Sequence, residues 1–311
     1  MSVVAAGAGT SGRRTAQRSA TQRTLISKAQ LNRRGSKLAY RIVLPLVVIV
    51  FTLVFIGPLY FLFTDGLKST QEAGAVPPTL FPAHIHPGTY VTAWNTLNVG
   101  RLMFNTLYYA FGALAFQLIF DVAAAYAFSK LRPVLGNAIF GMMLATLMIP
   151  STVLIVPQYL TVANLPILHV NLIGSPEAIW LPSVANAFNI FLLKRFFDSI
   201  PSELMDAAAI DGASPLRALR SIVLPISRPI LGVVTIFGFV TVWKDFLWPL
   251  LVESGYTPTR ETINVGITGA TTTPENLIIA ASAMAAIPTI IFFLIFQRNI
   301  LSGLTAGGLK G

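Results

Sequence analysis

"DAAAIDGASPLRALRSIVLP", Asp206 to Pro225, is a polar, helix-punctuated stretch between two apolar runs. Just ahead of it, Ser202 follows Pro201 and is predicted to cap a helix. Glu203 and Asp206 then fall in or beside the first turn, where negative charge suits the helix dipole. Ala207, Ala208 and Ala209 are the strongest helix formers, and Gly212 is the predicted stop. Ser214-Pro215 restarts the chain as a cap followed by proline at the first helical position. Arg217 and Arg220, three apart, share one side of the second helix, which Pro225 ends or kinks. The prediction is a helix–turn–helix outside the bilayer, with an alanine face small enough for a partner surface to approach closely.

The rest of the chain is made for lipid. Of its 311 residues, 54% are hydrophobic and 11% charged, against about 25% charged in a soluble domain. There is no cysteine, which excludes disulfides, thiolate metal sites and a cysteine nucleophile. His84 and His86 sit in "PAHIHPG" without an acidic or cysteine neighbour; the H-x-H pair reads as a solvated loop and no metal site is expected. The net charge of +10 is concentrated, with nine of 22 Lys and Arg in the first 41 residues. That segment, rich in Ser, Thr, Ala and Gly, is predicted as a disordered basic tail over 1–41, held near anionic headgroups rather than on nucleic acid.

A hydrocarbon core about 30 Å thick needs about 20 apolar helical residues. Six runs qualify: Ile42–Phe63, Leu102–Phe128, Asn137–Leu160, Ala178–Leu193, Pro229–Leu251 and Leu277–Phe296. The fold class expected is an all-α integral membrane protein, with a six-helix domain over 42–297 and a short tail over 298–311. The first run starts too deep and is too long for an ordinary signal peptide, so it is read as an anchor that stays. With both termini inside, the cytoplasmic pieces hold 18 Lys and Arg against three outside, Lys68, Arg101 and Arg260. This is a positive-inside pattern for a multi-pass protein of the cytoplasmic (inner) membrane. Pro45, Pro58, Pro150, Pro157, Pro182 and Pro288 punctuate the runs. Bent helices are tolerated at membrane depth where neighbours or a wet cavity satisfy the freed backbone, which suits a transport pathway.

Asp206-Ala207-Ala208, Gly212 and Ile222-Val223-Leu224-Pro225 together resemble the EAA loop of permease subunits of ATP-binding-cassette (ABC) importers, with Asp206 where Glu is usual. "AYAFSKLRP", "MIPSTVLIVPQYL", "FNIFLLKRFFDSIPSELMDAA", "WKDFLWPL" and "GLTAGGLKG" follow the same order as in the carbohydrate-uptake, maltose-type branch, from about Asn105 to the C-terminus. The resemblance implies a coupling loop over about 198–228, with Glu203, Asp206, Ala207, Ala208, Asp211, Gly212 and Ala213 seated on a cytoplasmic ATPase. It also implies a second permease, two ATP-binding subunits and an extracytoplasmic solute-binding protein as partners. The chain lacks a G-x-x-x-x-G-K-[ST] loop, so ATP and Mg are expected on partner subunits and no cofactor on this one. No covalent catalysis is expected here.

Two sets of polar residues are candidates for the solute pathway. Ser183, Asn186 and Asn189 recur every three residues in the fourth run; they line a pathway or act as interhelical hydrogen-bond glue. Thr241, Asp245 and Trp248, with Gly238, fall within a sector of about 80° at 100° per residue. A hydroxyl, a carboxylate and an aromatic plate suit a sugar, whereas Trp243 and Trp248 also suit an interfacial belt and Lys244 a snorkelling cation. Asp121, late in the second run, gets no role from the sequence. Two other readings are an ion-coupled secondary transporter, which would draw on Asp121 and Asp245, and a non-transporting scaffold.

Overall fold

The computed structural model of the chain describes residues 34–253 and 258–308. Most of the expected basic tail, residues 1–33, lies outside the described residues, as does Lys310. Among the described residues the regular elements are all helical. The chain divides into two units, Met1–Leu59 and Tyr60–Gly311. The first contains most of helix α1 (Arg34–Asp65), which begins ahead of the apolar run and continues through Pro45 and Pro58. Its Val, Ile, Leu and Phe side chains from Ile42 to Phe55 are exposed, a surface suited to hydrocarbon rather than water.

In the second unit, α2 (Thr70–Ala73) and α3 (Gly88–Thr96) precede α4 (Val99–Tyr126), which widens into a π-helical turn over Ala127–Leu131. Next come α5 (Gly136–Thr146), α6 (Ser151–Ala163), α7 (Glu177–Trp180), α8 (Ala187–Asp198), α9 (Ser202–Ile210) and α10 (Pro215–Ala218). They are followed by α11 (Leu224–Ile226), α12 (Arg228–Trp243), α13 (Leu247–Val252), α14 (Ile263–Gly269) and α15 (Glu275–Gly308). Helix α4 is the common wall, packing on α12, α8, α14 and α3. Two cores form along it. One gathers Leu102, Tyr109, Ala113, Phe239, Trp243 and Met284; the other gathers Val122, Tyr126, Ile190, Phe197, Val223 and Val234.

The six apolar runs do not become six unbroken spanning helices. Tyr40–Asp65, Val99–Leu131 and Glu275–Asn299 are long and apolar enough to cross a membrane alone. Two bent pairs, Gly136–Thr146 with Ser151–Ala163 (107°) and Pro215–Ile226 with Arg228–Trp243 (85°), raise the number to five if each is one span. The third run breaks because Pro150, at φ −58° and ψ 129°, has no N–H and leaves the helix. The fourth run is cut into α7, a 3₁₀ turn over Leu181–Ser183 that contains Pro182, and α8. The fifth unwinds after Trp243 before α13 begins. Hydropathy reports whether a residue tolerates lipid, and it is blind to such interruptions.

Small residues let the helices approach. A Cβ on Gly112 of α4 would collide with the Trp180 ring, which also meets Tyr108 and Phe116. Gly112→Val is predicted to lower stability by about 1–3 kcal/mol through overpacking, read as a fall in the thermal midpoint of the detergent-purified assembly. Gly141→Ala, in a helix interior where an added Cβ meets nothing within 4 Å, does not lower the midpoint and raises it slightly through helix propensity.

Candidate functional site

Helix α9 and the turn after it form as the local chemistry requires, with one difference at the start. Ser202 is the first helical residue and Pro201 occupies the cap position without a side-chain bond; proline, with ψ 136°, already supplies the change of direction. Glu203 stands in the first turn. At the far end Gly212 takes φ +72°. Its N–H donates to the Ala209 carbonyl at 3.0 Å, and the Ala213 N–H donates to the Ala208 carbonyl at 2.9 Å. This is a Schellman closure, and the left-handed residue it needs is cheapest as glycine. Ser214 then caps α10, its hydroxyl accepting the Arg217 N–H at 3.3 Å, with Pro215 at the first helical position.

Beyond α10 the chain widens into a π-helical segment over Leu219–Val223. Pro225 offers no N–H to the preceding turn, and a wider turn accommodates that gap. The direction changes by 85° between Ile226 and Arg228.

The outward side of the loop is acidic and apolar. Glu203, Asp206, Ala207, Asp211 and Gly212 are exposed, and Ile210 is 86% exposed. Ala208 is buried and Ala213 half-buried. Arg217 and Arg220 are exposed on the second helical segment. A cleft lined by Leu204, Ala207, Ala208, Asp211, Arg217 and Ser221 runs between the two segments. It is open because four of the residues lining it are alanines: Ala207, Ala208, Ala213 and Ala218.

The inward side is tied to the end of the second-run helix. The Tyr126 hydroxyl donates to the Pro215 carbonyl at 3.0 Å. Lys130 Nζ donates to the Ile200 carbonyl at 2.9 Å, and Ser129 Oγ donates to Asp198 Oδ1 at 2.7 Å. Lys194 Nζ holds the other carboxylate oxygen at 2.8 Å. Sequence reasoning assigned no role in the loop to three of these anchors, Tyr126, Ser129 and Lys130. Their signal was the polar punctuation of "AYAFSKLRP" at the end of an apolar run, but their partners are 69 to 89 residues away. Burial raises the Asp198 carboxyl, but hydrogen bonds from Lys194 and Ser129 outweigh it and hold the group below its ordinary value.

The pathway candidates are placed differently from one another. Ser183 Oγ donates to the Ile179 carbonyl at 3.0 Å within its own turn. Asn186 is the cap of α8, its side chain accepting the N–H groups of Phe188 and Asn189. Asn189 is buried. The helix break separates Ser183 from the other two, so the three do not form a single helical stripe. Thr241 and Lys244 are exposed, and Asp245 is half-buried. Trp248 is 9% exposed, and its indole N–H donates to the Ala178 carbonyl at 2.9 Å; Trp243 likewise donates to Ala285 at 3.1 Å. Both rings therefore pack in the bundle. Asp245 Oδ1 faces the Trp248 N–H at 3.5 Å, in the break before α13.

An all-helical, largely apolar bundle with an exposed and anchored helix–turn–helix defines a membrane transport subunit of the ABC importer class. The chain belongs to the family described as "Binding-protein-dependent transport system inner membrane component", which matches residues 121–305. It is similar to the sn-glycerol-3-phosphate transport system permease protein UgpE of Escherichia coli O1:K1 / APEC, with 33% identity over 81% of this chain and 91% of that protein. The UgpE protein of Salmonella typhi is 32% identical over 88% of this chain and 97% of its own length. The fold is shared with a bacterial ABC transporter involved in the import of the acidic polysaccharide alginate, at TM-score 0.70 and 23% identity, over 86% of this chain and 98% of that one. A second alginate transporter structure, in complex with an alginate pentasaccharide-bound periplasmic protein, matches at TM-score 0.60 and 18% identity, over 85% and 94%. The chain is thus a transport subunit and not an enzyme.

Because the Asp198 carboxyl is held below its unfolded value of about 4, the stability it contributes is present above that value. It is lost as pH falls through the lowered folded value. Asp198→Asn is predicted to lower the thermal midpoint at pH 7, and its deficit against wild type shrinks on acidification and vanishes once the native carboxyl protonates. A deficit that stays constant down to pH 2 contradicts this account.

Proposed function

We propose that this chain translocates a sugar or sugar-like solute by alternating access, driven by ATP hydrolysed on separate subunits. The observation that carries the reading is the coupling loop: an exposed helix closed by Gly212, whose flanks at Asp198, Ile200 and Pro215 are fastened by Ser129, Lys130 and Tyr126 to the second-run helix. A displacement of α9 by a partner is passed to the bundle through those bonds. The exposed acidic and apolar face of Glu203, Asp206, Ala207, Ile210 and Asp211 is the proposed seat on the ATPase. Asp206 carries the charge one methylene closer to the backbone than a glutamate does.

The expected assembly adds a second permease, two ATP-binding subunits that hold ATP and Mg, and an extracytoplasmic binding protein. The family's name and the alginate complex support that arrangement. Both termini are placed in the cytoplasm on the Lys and Arg distribution. The substrate class draws support from relatives named for sn-glycerol-3-phosphate and from a fold shared with an alginate importer. Phosphorylated glycerol and oligosaccharides are both candidates. Among the pathway candidates Thr241 is exposed, Ser183, Asn186 and Asp245 are half-buried, and Asn189 and Trp248 are buried.

The chain has no cysteine of its own, so Ile210→Cys introduces a single thiol on the exposed face of α9. In membranes holding the full transporter, that thiol is expected to crosslink to the ATP-binding subunit; failure to capture it in any nucleotide state overturns the coupling assignment. Gly212→Val forces a β-branched residue into a left-handed conformation at a cost of about 1–2 kcal/mol. It is predicted to reduce ATP-dependent uptake about tenfold. Uptake that persists after collapse of the ion gradients, with ATP maintained, excludes an ion-coupled mechanism.

A further inference from the structure

Asp121 is completely buried in the second-run helix, where a carboxylate is costly. Its Oδ1 accepts the Asn186 N–H at 2.9 Å. Asn186 is the residue at which the fourth run breaks. Its own side chain accepts from Phe188 at 3.0 Å and Asn189 at 3.1 Å, and its carbonyl accepts from Ile190 at 2.9 Å. Asp121 therefore fixes the residue that in turn fixes the first turn of α8.

The opposite end of α8 is held by the same helix. Ser129 reaches Asp198 and Lys130 reaches Ile200, just ahead of the coupling helix. Between these ends Ile190, Leu193 and Phe197 share a core with Val122, Ala125 and Tyr126. Helix α8 is thus bracketed at both ends by one neighbour. An apolar side chain at position 121 would fill the space at less cost, but it would leave the Asn186 N–H without an acceptor.

We propose that Asp121 is a positioning residue that fastens the far end of α8, so that displacement of the coupling helix moves α8 and the second-run helix as one body. This rests on the coupling role given above to α9. Without the acceptor, the break at Asn186 loosens and α8 slides against its neighbour, absorbing motion that otherwise reaches the solute pathway.

The test uses the complete transporter in liposomes, with Asp121→Leu, which removes the acceptor, and Asp121→Asn, which keeps one. Amide hydrogen exchange is read over residues 187–190 and 203–210, and uptake is measured per ATP hydrolysed. For Asp121→Leu the expected result is at least tenfold faster exchange at 187–190, unchanged exchange at 203–210, and at least a fivefold fall in uptake per ATP. Its ATPase rate stays within twofold of wild type. Asp121→Asn stays within twofold of wild type throughout. Wild-type exchange or wild-type coupling in Asp121→Leu overturns the proposal, as does equal loss in both variants. Should Asp121→Leu fail to assemble, Asp121→Ala removes the same acceptor with a smaller side chain; undiminished uptake per ATP in that variant is again fatal. Failure of the coupling role itself is read separately, from the wild-type background carrying the Ile210→Cys thiol, and does not alter the exchange result.

Discussion

Backbone N–H and C=O groups have nowhere to go in hydrocarbon, and this constraint organises the molecule. Each interruption of a helix at membrane depth must bring its own partners. Several polar side chains of the bundle serve that task. Asp121 and Asn186 serve the break before α8. Asn264 donates to the carbonyls of Trp243 and Asp245, where the fifth run unwinds. Trp243 and Trp248 donate to carbonyls of neighbouring helices. Polar residues that look like a solute lining in one dimension act largely as helix caps and ties in three.

The coupling loop follows the opposite rule. It lies among polar residues, its backbone is closed by local motifs, and Glu203, Asp206, Ile210 and Asp211 are left exposed. Gly212 ends α9 and Ser214 starts α10, so the turn is determined within a few residues. Beyond these local closures the loop has a set of long-range ties. A helix held only by its flanking peptide bonds would rotate freely when pushed. Here Ser129, Lys130 and Tyr126 hold the flanks of the helix at Asp198, Ile200 and Pro215.

The two cores along α4 divide the labour. The core containing Phe197 and Val223 joins α8, the π-helical segment after α10 and the first half of α12. The other contains Trp243 and Met284, and joins α12, α15 and α4. Close-packed interiors move as blocks rather than deform continuously. The 85° corner near Ser227 lies inside the first of these cores, with Val223 before it and Ile230 after it, so the two sides of the bend belong to one block.

Composition, the Lys and Arg distribution and the punctuation of Asp206–Pro225 were sufficient to establish an all-helical membrane protein and the helix–turn–helix of the coupling loop. These are short-range properties: a residue's tolerance of lipid, a proline's missing N–H, a glycine's access to positive φ. The number of unbroken spans was not legible, because an apolar run that kinks by 107° has the same hydropathy as one that does not. Nor was the role of Asp121, Trp248 or Lys130, since each is defined by a partner 65 to 70 residues distant. Which polar groups meet depends on how the helices pack against α4, and only the tertiary structure decides that.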